Sequence, residues 1–225
     1  MSNIYVGMMK DVCKNYLRKD RATLKEIADN KAKYSADYSA KLNKDAEQLR
    51  IQYYNDAKSM IVNIFDDIKQ YLTVASFPNV EALTADRLLF EENGINLTVE
   101  EVAGFAERYR DNFTMLRIIK SWIENHAVKG EGDLTLNPFS AVRINLPEDY
   151  LEVYKTFAES ALSMIDTIYN DSVNFNDKTI DSFGDESFGA SLFEVIGNGM
   201  TLNSYKSKKV PESAKHKFDD VTLRF

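Results

Sequence analysis

Between Gly7 and Pro78 lie 70 residues with neither a glycine nor a proline. Such a stretch permits very long helix, because both residues that most disfavour helical backbone are missing. Within it, Ala28, Ala32, Ser35, Ser39, Leu42, Ala46, Leu49 and Tyr53 recur at alternating spacings of four and three. The phase then shifts by one residue, and Ala57, Ile61, Ile64, Ile68 and Tyr71 continue the alternation. This is the pattern of a coiled-coil seam. Thr23 with Glu26 three residues on has the form of a capping box. The pattern therefore predicts a short helix to about Arg18 and a second helix from about Thr23 to Leu72. At 1.5 Å per residue the second would span roughly 75 Å, more than a compact domain of this size requires. It must protrude as an arm or pack along another helix, either its own residues 1–20 or a helix of another chain. Small residues line the first half of its seam and bulky aliphatics the second. Met60, Ile64, Phe65 and Ile68 broaden that second half into a core face.

Further along, Asn79 after Pro78 caps a predicted helix from Val80 to about Glu92, which Asn93-Gly94 ends. Thr98 and Glu101 form a second capping box, leading into Val99–His126 with an apolar face of Val102, Phe105, Ala106, Tyr109, Phe113, Leu116, Ile119 and Ile123. Gly104 inside it suggests a close helix contact. Another helix is expected from Pro147, with Tyr150, Tyr154, Phe157, Ala161, Met164 and Ile168 along its seam. Residues 129–146 open with a glycine-rich turn and alternate at Val142, Ile144 and Leu146, as a short strand does. Residues 192–202 have the outline of a β-hairpin around Gly197-Asn198-Gly199, and residues 220–225 that of a further strand.

The expected fold is thus mainly α: a helical bundle with one very long, coiled-coil-like N-terminal helix and a small C-terminal tail containing a β-hairpin. Three segments follow: 1–72 as short helix plus arm, 73–170 as the bundle body, and 171–225 as a polar tail ordered by packing or by a partner. No internal repeat is visible.

Composition changes this picture little. At 225 residues, 44% hydrophobic and 28% charged, the chain has the make-up of an ordinary globular protein. It shows neither a run of apolar residues long enough to span a bilayer nor a signal-peptide pattern at its N-terminus. A cytoplasmic location, or one inside an assembled particle, is the expectation. The net charge of −7 is uneven. Residues 1–72 carry a net +3 and residues 73–170 a net −8. An acidic middle argues against wrapping nucleic acid around the body.

Candidate chemistry is sparse. Neither G-x-x-x-x-G-K-[ST] nor G-x-G-x-x-G after a strand occurs. The one cysteine, Cys13, sits among apolar neighbours as core filler does, and excludes an internal disulfide. His126, at a helix end without H-x-x-x-H or E-x-x-H spacing, suits the carbonyl end of the helix dipole better than a metal. The oxygen-rich run from Asp171 to Asp185 lacks the spacing of a calcium loop. The expectation is a non-enzyme without cofactor or metal.

Surfaces remain. The expected interface residues are Ala28, Ala32, Ser35, Tyr38, Ser39 and Leu42 on the arm, with Phe193, Ile196 and Phe225 in the tail. Lys206, Lys208, Lys209, Lys215 and Lys217 form a weak candidate for nucleic-acid contact. The expected function is that of a structural or assembly protein, associating with itself or with other subunits of an assembly. Asn-, Lys-, Asp- and Tyr-rich composition with few Pro and Gly points to a bacteriophage virion or capsid-assembly component, a resemblance of composition that no motif carries. The alternatives are a small adaptor binding one protein partner and a nucleic-acid-associated protein using its basic C-terminal stretch.

Overall fold

A computed structural model of the chain describes residues 4–91, 96–126, 128–129, 135–182 and 217–224. It is mainly helical. Among the described residues six α-helices follow in order: α1 (Ile4–Lys33), α2 (Ala36–Ser76), α3 (Val99–Arg108), α4 (Phe113–Asn125), α5 (Pro147–Asn170) and α6 (Asp177–Ser182). A two-residue antiparallel ladder, β1 (Val128–Lys129) with β2 (Thr135–Leu136), pairs Val128 with Leu136. The chain divides into two compact units. The first comprises residues 1–69, 152–198 and 220–225; the second comprises 70–151 and 199–219. The division falls inside α2 and inside α5.

The first unit is built on α1, most of α2 and most of α5. Along α1, Met9, Cys13, Tyr16, Leu17, Asp20, Thr23 and Ile27 are buried at helical spacing. α2 contributes Ala46, Ala57, Ile61, Ile64, Phe65 and Ile68, and α5 contributes Tyr154, Phe157, Ala161, Leu162, Ile165 and Ile168. Helix α1 runs antiparallel to α2. Asp20 meets Arg50, the Lys19 ammonium lies 4.6 Å from the centre of the Tyr53 ring, and the Asn30 amide donates to Asn43 at 3.3 Å.

The chain therefore does not carry one helix from Thr23 to Leu72. Helix continues straight through residues 19–23, and the break comes later, at Tyr34 and Ser35. Thr23 caps nothing; its hydroxyl donates to the Lys19 carbonyl inside α1 at 3.0 Å. Local charge explains the position of the turn. Lys31 and Lys33 end α1 and Asp37 opens α2, so each helix dipole meets a compensating charge. Residues 4–20 do fold back onto the chain, as part of a 30-residue helix.

Helix α6 and the 3-10 turn Ser172–Asn174 before it pack on α1: Lys14 pairs with Asp181, Arg18 with Asp177 at 3.0 Å, and the Arg21 guanidinium donates to the Ser172 carbonyl at 2.7 Å. Residues 221–224 form no strand. They have no regular structure, with Leu223 buried and the Arg224 N–H donating to the Glu159 carboxylate at 2.9 Å.

The second unit centres on Phe90, Val102, Ile119, Trp122, Ile123 and Phe139, all buried. The expected helix from Val80 is two short 3-10 turns, Val80–Ala82 and Ala85–Phe90. Asn79 does cap the first, accepting from the Glu81 N–H at 3.0 Å. The expected helix Val99–His126 is divided into α3 and α4 by a turn at 109–112. The Thr98–Glu101 capping box is complete, and Asn112 caps α4 by accepting from the Met115 N–H. Gly104 serves no close contact: a Cβ built there meets nothing within 4 Å. Val142, Ile144 and Leu146 do not form a strand, although Val142 and Ile144 pack against the central cluster. Helix α5 begins at Pro147 as the sequence predicts. The hairpin expected over residues 192–202 lies outside the described residues.

Candidate functional site: the tip of the α1–α2 hairpin

The turn between α1 and α2 gathers most of the expected arm residues. Ala28 and Ala32 lie in the last turns of α1, Ser35 in the turn, and Tyr38 in the first turn of α2; all four are exposed. Tyr34 and Tyr38 pack edge to face with ring centres 5.2 Å apart, yet stay 48% and 53% exposed. Leu42 is half-buried and Leu49 exposed. Tyr38, Leu42 and Leu49, spaced by four and seven, occupy one face of α2. Ser39 departs from the expectation. It is buried, and its hydroxyl donates to the Ala36 carbonyl at 3.0 Å.

The buried seam of α2 is also shifted from the one its pattern suggests. Asn43 is buried where Leu42 was expected, and Arg50 turns inward where Leu49 was expected. The reason is the polar content of α1, which supplies Asn30 and Asp20 as partners. Asp20 is fully buried and takes the Arg50 Nε–H at 2.6 Å. The rest of the Arg50 guanidinium donates to the Tyr169 carbonyl and lies 4.3 Å from the centre of the Tyr169 ring. The Tyr16 hydroxyl reaches Asp20 at 3.5 Å, and burial followed by the Asp20 charge raises its pKa. The second Asp20 oxygen has no hydrogen-bond partner among the described residues.

Beside this pair the Tyr54 hydroxyl donates to Asp166 at 2.6 Å, and Lys58 donates to the same oxygen at 2.9 Å. Burial opposes ionisation of Asp166, but these two bonds prevail and hold its pKa below the usual carboxylate value. Tyr54, Asp166 and Tyr169, with Ile51, Asn55 and Asn170, line an open cleft of about 580 Å³. The charge of Asp166 in this lining is matched from within the chain by Lys58. The sequence did contain one signal for this cluster. Asp20 falls on the buried stripe of α1 between Leu17 and Thr23, and a carboxylate on such a stripe requires a buried cation. Dividing the helix near residue 19 concealed it.

The other candidates are placed as follows. Phe193, Ile196, Phe225, Lys206, Lys208, Lys209 and Lys215 lie outside the described residues. Lys217 is within them; it pairs with Glu148 and stacks its ammonium over Phe218, 5.2 Å from the ring centre. Cys13 is buried, and burial raises its pKa to about 12, so the thiol keeps its proton at neutral pH. His126 ends α4, stacks on Trp122 at 3.8 Å and places Nδ1 2.8 Å from the Trp122 carbonyl. Among the described residues no group of three or more His, Cys, Asp or Glu is arranged to hold a metal ion. No helix among them is long and apolar enough to cross a membrane. No family model, curated protein or solved structure matches the chain.

Proposed function

We propose that this is a non-enzymatic structural or assembly protein that associates through the tip of its α1–α2 hairpin. The observation that carries the reading is the exposed surface at that tip, where Tyr34 and Tyr38 stand in solvent and Ala28, Ala32 and Ser35 are exposed. Tyrosine gives large contact area at small entropic cost, and small neighbours let another backbone approach. Pairing with a helix of another subunit would extend the coiled-coil-like character of the arm. The C-terminal tail, with its expected hairpin and Phe193, Ile196 and Phe225, is a second contact element in this reading. Membership in a bacteriophage virion or its assembly apparatus rests on composition, and a place inside such a particle or in the cytoplasm goes with it. The inert state of Cys13 and the capping role of His126 fit a protein without a nucleophile or general base at these positions.

Replacing Ala32 and Tyr38 together by glutamate tests the tip. Both side chains are exposed, so the helical signal should persist while association, read as solution mass, is lost. An unchanged mass for the associated form would remove the tip from the interface. A parent chain that is monomeric but captures a single protein partner would favour the adaptor alternative.

A further inference from the structure

We propose that the cationic face of α1 is a docking site for an acidic helical segment of a partner protein, and that the chain's own residues 172–182 occupy it until such a segment takes their place. The inference does not rest on association through the hairpin tip.

The face is a row of cations. Lys10, Lys14, Arg18, Arg21 and Lys25 follow one another along α1 at spacings of four, four, three and four. Helical geometry keeps them within a strip about 80° wide and about 22 Å long. Asp11 and Asp29 lie at its edge, Asp29 pairing with Lys33 at 3.9 Å.

The chain's own segment shows what this face accepts. The Lys10 ammonium donates to the Asp181 carbonyl at 2.6 Å, and Lys14 pairs with the Asp181 carboxylate. Arg18 pairs with Asp177 at 3.0 Å, and Arg21 donates to the Ser172 carbonyl at 2.7 Å and to the Phe175 carbonyl. The occupant is thus a helical turn with carboxylates four residues apart and a buried apolar side chain, Ile180, beside the second. That apolar anchor is one a nucleic-acid backbone does not offer, and it favours a peptide. Lys25 is exposed at the end of the row and forms no ion pair among the described residues, so a longer acidic segment has a further cation to engage.

The resident segment is held weakly enough to be displaced. In the six residues of α6 only Ile180 is buried, and so short a helix has little stability of its own. Its pair with α1 is open to solvent, the Arg18 and Asp177 side chains being 63% and 49% exposed. Exposed pairs contribute little and weaken with salt. While the segment is seated, a competitor's apparent affinity is reduced to the share of molecules whose site is open.

The probe is a fluorescein-labelled peptide of residues 171–182 carrying Lys178→Glu, titrated with the full chain and read by fluorescence anisotropy. Two variants release the resident segment: Ile180→Asp, and Asp177→Lys with Asp181→Lys at exposed positions. Each should bind the peptide at least about tenfold more tightly than the parent, because the competing occupant is gone. Adding Lys14→Gln and Arg18→Gln to Ile180→Asp should reverse that gain. Equal affinity for the parent and both released variants overturns the proposal, as does a gain that survives the loss of Lys14 and Arg18. A single-stranded oligonucleotide that binds the released chain more tightly than the peptide does would overturn the choice of partner in favour of nucleic acid. A released chain that dimerises until Lys14 and Arg18 are replaced would overturn it in favour of a second copy.

Discussion

Asp20 carries the greatest electrostatic risk in the first unit. One carboxylate oxygen is satisfied by Arg50 and the other has no partner among the described residues. A buried pair of this kind adds little net stability, because desolvation offsets the attraction, but removing one partner is expensive. Arg50→Met should therefore cost about 3–5 kcal/mol in denaturant unfolding. A loss within about 0.5 kcal/mol, as at an ordinary surface position, would contradict the pairing. What the pair contributes is register. It fixes Asp20 opposite Arg50 and so selects which face of α2 turns inward. Asp166 titrates where it can be observed. With a pKa held below the ordinary carboxylate value of about 4, its ionised form stabilises the fold at higher pH. That contribution disappears as pH falls through the lower folded-state value. Asp166→Asn should flatten the acid limb of a plot of melting temperature against pH, and a limb of unchanged steepness would assign acid sensitivity to other groups.

At the scale of elements, local signals were most legible where side chains close onto their own backbone. The Thr98–Glu101 box, the Asn79 cap and the Pro147 start could all be read from sequence, and all three are present. Thr98→Ala should cost about 1 kcal/mol; a thermal shift indistinguishable from that of a neutral surface substitution would show that packing alone holds α3 in place. Breaks lacking a glycine or proline were harder to see. The Tyr34–Ser35 turn and the 109–112 turn both lie inside unbroken apolar periodicity, which reports the face a residue occupies but not whether the axis continues. Ser35 followed by Asp37, with Lys31 and Lys33 before it, is the cue to the first turn; Asn112 at a cap position is the cue to the second. Thr23 with Glu26 had the same form as a true capping box. It is overridden because Thr23 lies on the buried stripe of α1, where its hydroxyl bonds back to Lys19. The seam of α2 was legible in its lower half, where apolar residues decide it. In the upper half, polar partners on α1 place Asn43 and Arg50 inside, a choice that hydrophobicity alone does not encode.

For the whole molecule, a net charge of −7 with a positive N-terminal third and an acidic middle favours contacts between segments of opposite sign. Two units divide the chain, each with an apolar core built from segments distant in sequence. The hairpin of α1 and α2 ends in a tyrosine pair, and that tip is the surface on which the functional reading stands. Solution mass, measured by light scattering at two protein concentrations and two salt concentrations, tests it most directly. A mass that rises with concentration above the 25.7 kDa of one chain is the predicted result, and its change with salt measures the share carried by charge. A mass fixed at 25.7 kDa under every condition would contradict association through the hairpin tip.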